Sequence, residues 1–174
     1  MTDWAQWFQY QLQASGDGFI WGFSQLPEYL LDQLPVEPGY LGTWQPLRHV
    51  WHVTEYERCL ALPTMKQWLS GPMPPEDAWK DDDAAWAAVK DRRPAALSAA
   101  FRQVRQQQID LLAQLANADW ETPRETLWGM RPLSWIVTKT FQHTYEHGDT
   151  LLRMGIWWEH ILGEIAKAQA KAQA

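Results

Sequence analysis

Apolar residues recur along this chain at the three- and four-residue spacing of helices that bury one face. No segment shows a strand pattern or a hairpin turn between two alternating runs. The predicted long helices cover residues 4 to about 25, 43 to about 62, 94 to about 116, 132 or 134 to 155, and 157 into the C-terminal tail, with one helical turn within 28–34. Four long helices joined by loops predict an all-α fold, a four-helix bundle with an additional C-terminal helix.

Prolines and glycines set the expected ends of these helices. Thr43 is the expected N-cap of the second helix, and Pro63 is expected to end it. Gly155 is expected to end the fourth helix, because glycine is the common residue just past a helix end. The expected loops are residues 36–42, 70–83 and 117–130.

The fourth predicted helix carries two histidines on its core-facing side. The core-facing positions follow one another in steps of three or four and are Ile136, Thr140, His143, His147, Leu151 and Met154. Residues four apart lie on the same face of a helix, so His143 and His147 can bind one metal ion together. Buried imidazoles need partners, and a shared ion satisfies both rings better than the alternative of two ordinary core histidines.

A third imidazole is expected from the second helix, where His49 and His52 lie three residues apart. Their side chains diverge by roughly 60° around the helix, so one of them is expected to bind the ion and the other to pack or form a hydrogen bond. Spacing alone does not choose between the two. The fifth histidine, His160, stands apart from both clusters.

The depth of these histidines in the bundle supports a shared site. In an alternating up-and-down bundle the second and fourth helices run in the same direction. His52 lies nine residues past Thr43, and His143 and His147 lie nine and thirteen past Ser134. At ~1.5 Å per residue the three depths are roughly 13, 13 and 20 Å, which allows all three histidines to meet near the middle of the bundle.

Length and charge bound the class of protein. A chain of 174 residues with 46% hydrophobic residues predicts one globular domain, expected over residues 1–165, with a low-complexity tail at 166–174 that frays. A formal net charge of −6 disfavours nucleic-acid binding. No apolar run approaches the ~20 residues that span a bilayer, and the N-terminus lacks a signal-peptide pattern. We expect a soluble cytoplasmic protein with no membrane partner.

The thirteen tryptophans and the single cysteine say less about function than the histidines do. Tryptophan in such excess is expected to fill the core, and an aromatic-walled pocket is compatible with that role. Cys59 excludes an intramolecular disulfide and fits a reducing compartment. A lone cysteine is more often a small buried apolar residue than a nucleophile, so no catalytic role is expected for Cys59.

Residues 44–57 place an aromatic residue eight positions before His52 and an acidic residue after it, and residues 133–153 contain His143-x-x-x-His147. In these two segments the chain resembles the DinB/YfiT-like superfamily of helical-bundle metalloproteins, over nearly its whole length from the first helix to Met154. By position, the resemblance implies that the metal ligands are His52, His143 and His147 and leaves His49 outside the triad.

Members of that superfamily are described as metal-dependent and often dimeric, and they include transferases that use low-molecular-weight thiols. The resemblance therefore implies a divalent metal ion, Zn or Ni first among those that imidazole suits, and a small-molecule substrate. It also implies a thiol co-substrate and a homodimer.

Three neutral histidines leave a divalent ion with its full charge and an open coordination position. Such an ion is a Lewis acid, which predicts either thiol transfer to an electrophile or hydrolysis. For hydrolysis, Glu55 or Glu146 is a candidate base, although each more often orients a histidine ligand.

Two alternatives do not need catalysis by this ion. One is a bundle in which the metal is structural, with His49, Cys59 or an acidic residue as a fourth ligand, or which binds a small molecule or a partner. The other is a member of the superfamily that has lost the metal. An inverted zinc-protease motif, His-x-x-Glu-His over residues 143–147, is disfavoured, because only 27 residues follow it and a distant acidic ligand is required.

Overall fold

Long helices make up most of the computed structural model, which describes residues 3–80 and 83–173. The elements are the helices α1 (Trp4–Ser24), α2 (Pro38–Leu41), α3 (Pro46–Tyr56), α4 (Leu62–Lys66), α5 (Asp83–Ala87), α6 (Pro94–Gln114) and α7 (Leu133–Ala172), the 3-10 turns Glu28–Leu30 and Gln67–Leu69, and the strands β1 (Arg124–Thr126) and β2 (Gly129–Arg131). The predicted all-α bundle is confirmed, with α1, α3, α6 and α7 as its four main helices.

The order of helix directions differs from the predicted alternation. α1 runs parallel to α7, whereas α6 runs antiparallel to α1 and α3 runs antiparallel to α7. The contacts that establish these directions are Trp7–Phe141 and Gly22–Leu152 between α1 and α7, Gln9–Ile109 and Phe19–Phe101 between α1 and α6, and His49–His147 and His52–His143 between α3 and α7. The bundle therefore runs up, down, down, up, and α3 is parallel to α6.

A long connection between α3 and α6 explains this order. Residues 67–93, which contain the short helix α5, return the chain to the end of the bundle where α3 began. The prediction that the second and fourth long helices run in the same direction was wrong. The histidines still meet, because antiparallel helices bring residues from the middle of each to the same depth as readily as parallel ones.

The second long helix starts later and runs further than predicted. It begins at Pro46, directly after Gln45, so the missing N–H of the proline falls in the first turn, and Thr43 is not the cap. Pro63 does not end the helix. Residues 57–61 widen into a π-helical turn, in which the Leu62 N–H donates to the Glu57 carbonyl, and the helix continues as α4. The wider turn relaxes the hydrogen-bond ladder where Pro63 has no N–H to donate.

Gly155 does not end the fourth helix either. α7 continues to Ala172, so the additional C-terminal helix is an extension of the fourth helix. Burial explains the continuation, because Met154 and Trp158, on either side of Gly155, are both 1% exposed in the core. Tertiary packing thus outweighs the helix-ending preference of one glycine. Residues 162–173 face solvent, and the fraying of the tail stays a prediction.

A β-hairpin lies where a loop was predicted. β1 and β2 pair antiparallel, with Thr126 opposite Gly129, and the turn consists of Leu127 and Trp128. Thr126 Oγ1 donates to the Gly129 carbonyl at 2.8 Å and accepts from the Trp128 N–H at 3.1 Å, and Gly129 has a φ of +77°. Strands of three residues are too short to show alternation, and the prediction of a loop without a hairpin over residues 117–130 was wrong.

The other predicted loops contain short helices at their edges. α2 lies within 36–42, and α5 starts at Asp83, at the end of 70–83. Residues 81 and 82 of that predicted loop lie outside the described residues. Within the described residues, no helix combines the length and the apolar composition that crossing a bilayer requires.

A buried ion pair joins the main helices in the middle of the bundle. Glu57, in the π-helical turn, is 0% exposed, and Arg105 of α6 is 3% exposed. Arg105 Nε donates to Glu57 Oε2 at 3.1 Å, and its other nitrogens donate to the Leu12 carbonyl at 2.6 Å, Ser15 Oγ at 2.9 Å and Thr144 Oγ1 at 2.7 Å. One guanidinium therefore contacts α1, the π-helical turn and α7 at once.

Candidate metal centre

Four imidazoles meet where α3 faces α7. His52 Nε2 lies 3.0 Å from His143 Nε2, and His143 Nε2 lies 3.3 Å from His147 Nε2. His49 Nδ1 lies 2.7 Å from His147 Nδ1. The two helical pairs predicted from the sequence therefore form one cluster, which we call the histidine cluster.

Three of these residues fit a divalent metal ion. One ring nitrogen from each of His52, His143 and His147 lies within 4.8 Å of the others. Two nitrogens bonded to a tetrahedral zinc ion at ~2.0–2.1 Å stand about 3.3 Å apart. The observed Nε2 separations of 3.0 and 3.3 Å are close to that spacing. The structure thus brings the three predicted ligands together in an arrangement that suits a metal ion, and their binding of one stays a prediction.

Burial keeps these rings in the form that binds metals. Burial, assisted by the charge of Arg48, lowers the pKa of His52 to about 4. Burial also lowers the pKa of His143, with smaller effects from His147 and His52. Both rings are therefore neutral at physiological pH, and a neutral imidazole is the ligating species.

Trp44 covers one side of the histidine cluster. Its ring is 4.9 Å from the His52 ring and stacks on the His147 ring at 5.9 Å with 12° between the planes. The guanidinium of Arg48, a residue of α3, lies 4.6 Å from the centre of the same indole ring. Trp44 is the aromatic residue on which the family resemblance partly rested. Its contacts explain why an aromatic side chain at that position holds the rings in place.

His49 lies behind His147. His49 Nδ1 contacts His147 Nδ1, whereas His147 Nε2 faces His143. A histidine that binds a metal through Nε2 carries its proton on Nδ1 and donates it to a neighbouring acceptor. Burial and the neighbouring imidazoles lower the pKa of His49 well below its usual value, so its ring is neutral and able to accept. His49 is therefore placed to orient His147, which spacing alone could not decide.

Replacing His49 by phenylalanine is expected to weaken metal binding by about 10–100-fold, because the ring volume stays and the acceptor is lost. Asparagine offers an oxygen close to the position of Nδ1, so His49→Asn is expected to recover most of the affinity. Competition with a chromophoric chelator measures both variants, and thermal unfolding checks that they fold. Equal affinities of wild type and His49→Phe would contradict the orienting role.

Tyr56 and Trp79 extend the aromatic surroundings of the histidine cluster. The Tyr56 ring lies 4.2 Å from the His143 ring, and the Trp79 ring lies 5.1 Å from the His52 ring. Trp79 lies within the predicted loop 70–83 and was not a predicted site residue. The only signal for it was the excess of tryptophan, which was compatible with a pocket wall.

The remaining candidate residues lie outside the histidine cluster. Glu55 accepts hydrogen bonds from Arg58 and, at 3.8 Å, from the Cys59 thiol. Burial raises the pKa of Cys59, which lowers the thiolate population and agrees with the expectation of no nucleophilic role. Glu146 is exposed, and His160 contacts Trp157 near the end of the core.

No carboxylate joins the three histidines among residues 3–80 and 83–173. The inverted zinc-protease interpretation requires such a ligand, and its glutamate at position 146 faces solvent. The interpretation therefore has no support in the described part of the chain.

The sequence model of the DinB superfamily matches residues 11–151. No curated protein matches the chain, and no solved structure matches it. The matched region runs from within α1 to within α7, and it contains all four residues of the histidine cluster. It agrees with the resemblance seen in residues 44–57 and 133–153 and covers well over half of the chain. This chain belongs to the DinB superfamily.

Proposed function

We propose that this protein is a metal-dependent transferase that joins a low-molecular-weight thiol to an electrophilic small molecule. The observation that supports it is the convergence of three ring nitrogens, from His52, His143 and His147, with no carboxylate in the cluster among the described residues. A divalent ion held by three neutral ligands keeps its full charge and supplies Lewis acidity, which lowers the pKa of a thiol. Zn²⁺ and Ni²⁺ are the ions we expect.

The carboxylates near the site favour thiol transfer over hydrolysis. A zinc ion lowers the pKa of a bound water from about 15.7 to about 7, and metalloproteases add a carboxylate base beside that water. Glu55 is engaged by Arg58, and Glu146 is exposed to solvent. A thiol starts from a pKa of about 8.5, so the same ion makes it a thiolate without a dedicated base. In the transfer, the sulfur bonds to a carbon of the electrophile, and the leaving group departs with the electron pair of the bond that breaks.

The chain's own residues prepare the site in two ways. Burial keeps His52 and His143 neutral, so protons do not compete for their ring nitrogens at physiological pH. Trp44 and His49 hold the ring planes, which reduces the reorganisation that binding an ion requires. Both effects favour tight and geometrically defined metal binding.

Cobalt substitution tests this proposal. We expect untagged protein to bind one equivalent of Zn²⁺ or Ni²⁺, and the Co²⁺ form to show a visible spectrum that changes when a small thiol is added. The change reports a coordination position open to sulfur. Failure to bind any of these ions would overturn the proposal, as would a Co²⁺ spectrum that thiols and azide leave unaltered. The latter would indicate a structural metal in a closed site.

We also propose that the protein is a cytoplasmic homodimer. α1 and α7 pack along each other, and each exposes large apolar side chains, including Trp21 at 58% and Ile156 at 65%. Exposed apolar patches of this kind mark association surfaces. A thiol co-substrate stays reduced in the cytoplasm. Light scattering that gives the mass of a single chain would exclude the dimer.

A further inference from the structure

A cleft of about 330 Å³ lies beside the histidine cluster. The described residues that line it are Leu60, Glu76, Trp79, Leu127 and Trp128. These residues come from three separate stretches: the π-helical turn, the connection after α4, and the turn of the hairpin. None of them belongs to the histidine cluster, so the cleft is a separate feature of the molecule.

The two tryptophans of the cleft adjoin rings of α3, the helix that carries His52. The Trp79 ring lies 5.1 Å from the ring of His52 on α3. The Trp128 ring lies 6.2 Å from the ring of Tyr56, which in turn lies 4.2 Å from the ring of His143 on α7. A molecule seated in the cleft against Trp79 is therefore separated from His52 by one ring.

The lining of the cleft favours a ligand that is both apolar and positively charged. Glu76 is the only charged residue among the described residues that line it, and its carboxylate is exposed. Indole faces attract cations, most strongly amines and quaternary ammonium groups that shed water easily. Leu60 and Leu127 provide apolar surface for attached carbon. A carboxylate or phosphate would meet the negative charge of Glu76, with no cation among the described lining residues to offset it.

We propose that this cleft binds the cationic nitrogen group, an amine or a quaternary ammonium, of the small molecule that reacts at the histidine cluster. The proposal rests on the proposed function, since it assigns the cleft to the substrate of that reaction. The ammonium group lies against the tryptophan faces, and Glu76 supplies the counter-charge.

Choline and its uncharged isostere 3,3-dimethylbutan-1-ol form a matched pair of probes. Saturation-transfer NMR and calorimetry on the intact chain are expected to show choline binding at least about fivefold tighter than the alcohol. Glu76→Gln is expected to weaken choline binding about threefold, and Trp79→Leu about tenfold. The exposed residue Glu125 lies outside the described lining of the cleft, so Glu125→Gln is expected to leave the affinity for choline unchanged.

Three results would overturn the proposal: no choline binding, equal binding of the alcohol, or unchanged affinity in both Glu76→Gln and Trp79→Leu. Glu76 is exposed, so Glu76→Gln remains informative even if Trp79→Leu fails to fold. The measurements are made on chelator-treated and on Zn²⁺-loaded protein. If choline binds but no metal ion does, the proposed transferase fails and the cleft remains a binding site for cations. If a metal ion binds but choline does not, the proposed ligand of the cleft fails and the transferase stands.

Discussion

Replacing His143 by alanine is expected to lower the affinity for a divalent ion by more than about a hundredfold. Zinc sites with four protein ligands bind with roughly 10–16 kcal/mol, so one ligand contributes on the order of 3 kcal/mol. His143 is central to the arrangement, because its Nε2 lies 3.0 Å from His52 Nε2 and 3.3 Å from His147 Nε2. Its loss leaves two nitrogens that no longer share a neighbour.

Elemental mass spectrometry of untagged protein, together with chelator competition, measures this effect. His160→Ala is the matched control, because His160 contacts Trp157 and lies outside the histidine cluster. The control is expected to retain the metal content of the wild type. A His143→Ala protein that folds and keeps stoichiometric metal would show that the ion binds elsewhere, and it would end the proposed mechanism.

Replacing Arg105 by methionine is expected to lower the free energy of unfolding by about 3–5 kcal/mol, because the variant leaves the buried Glu57 carboxylate without its counter-charge. Methionine keeps most of the side-chain volume, so the loss reports the charge and the hydrogen bonds. The Leu12 carbonyl and Ser15 Oγ lose their guanidinium donors at the same time.

Urea unfolding followed by circular dichroism measures the change. Arg102→Met is the control on the same helix, since Arg102 is 58% exposed and 3.6 Å from Asp17, and it is expected to cost less than about 1 kcal/mol. The double variant Glu57→Leu/Arg105→Met is expected to regain much of the loss, because no unpaired charge remains. A loss for Arg105→Met no larger than that for Arg102→Met would contradict the buried pair as a major contributor.

The histidine cluster was predictable because its main determinant is local. Four-residue spacing places His143 and His147 on one helix face in any fold, and the apolar stripe around them indicates that this face turns inward. The choice between His49 and His52 was not local. It depends on the angle at which α3 faces α7, and the family resemblance, not the spacing, favoured His52.

The course of the chain between helices was much less predictable. The directions of the helices depend on where the connection 67–93 leads, and hydrophobic periodicity does not encode that path. Pro63 and Gly155 carry strong local preferences for ending a helix, yet the π-helical turn and the burial of Trp158 outweigh them. Trp79 is adjacent to His52 only through tertiary packing, so no spacing rule could place it there.

The π-helical turn makes the second long helix tolerate the loss of one residue at one place only. A π turn holds one residue more than an α-helix needs. Deleting a residue within 57–61 would let that stretch close into regular α-helix. His52 and Met65, which is 0% exposed, would then keep their faces, whereas a deletion in a regular part of the helix would turn the residues beyond it by about 100°. The wide turn thus absorbs the extra residue and keeps two helical faces in register, one for the histidines and one for the core below them.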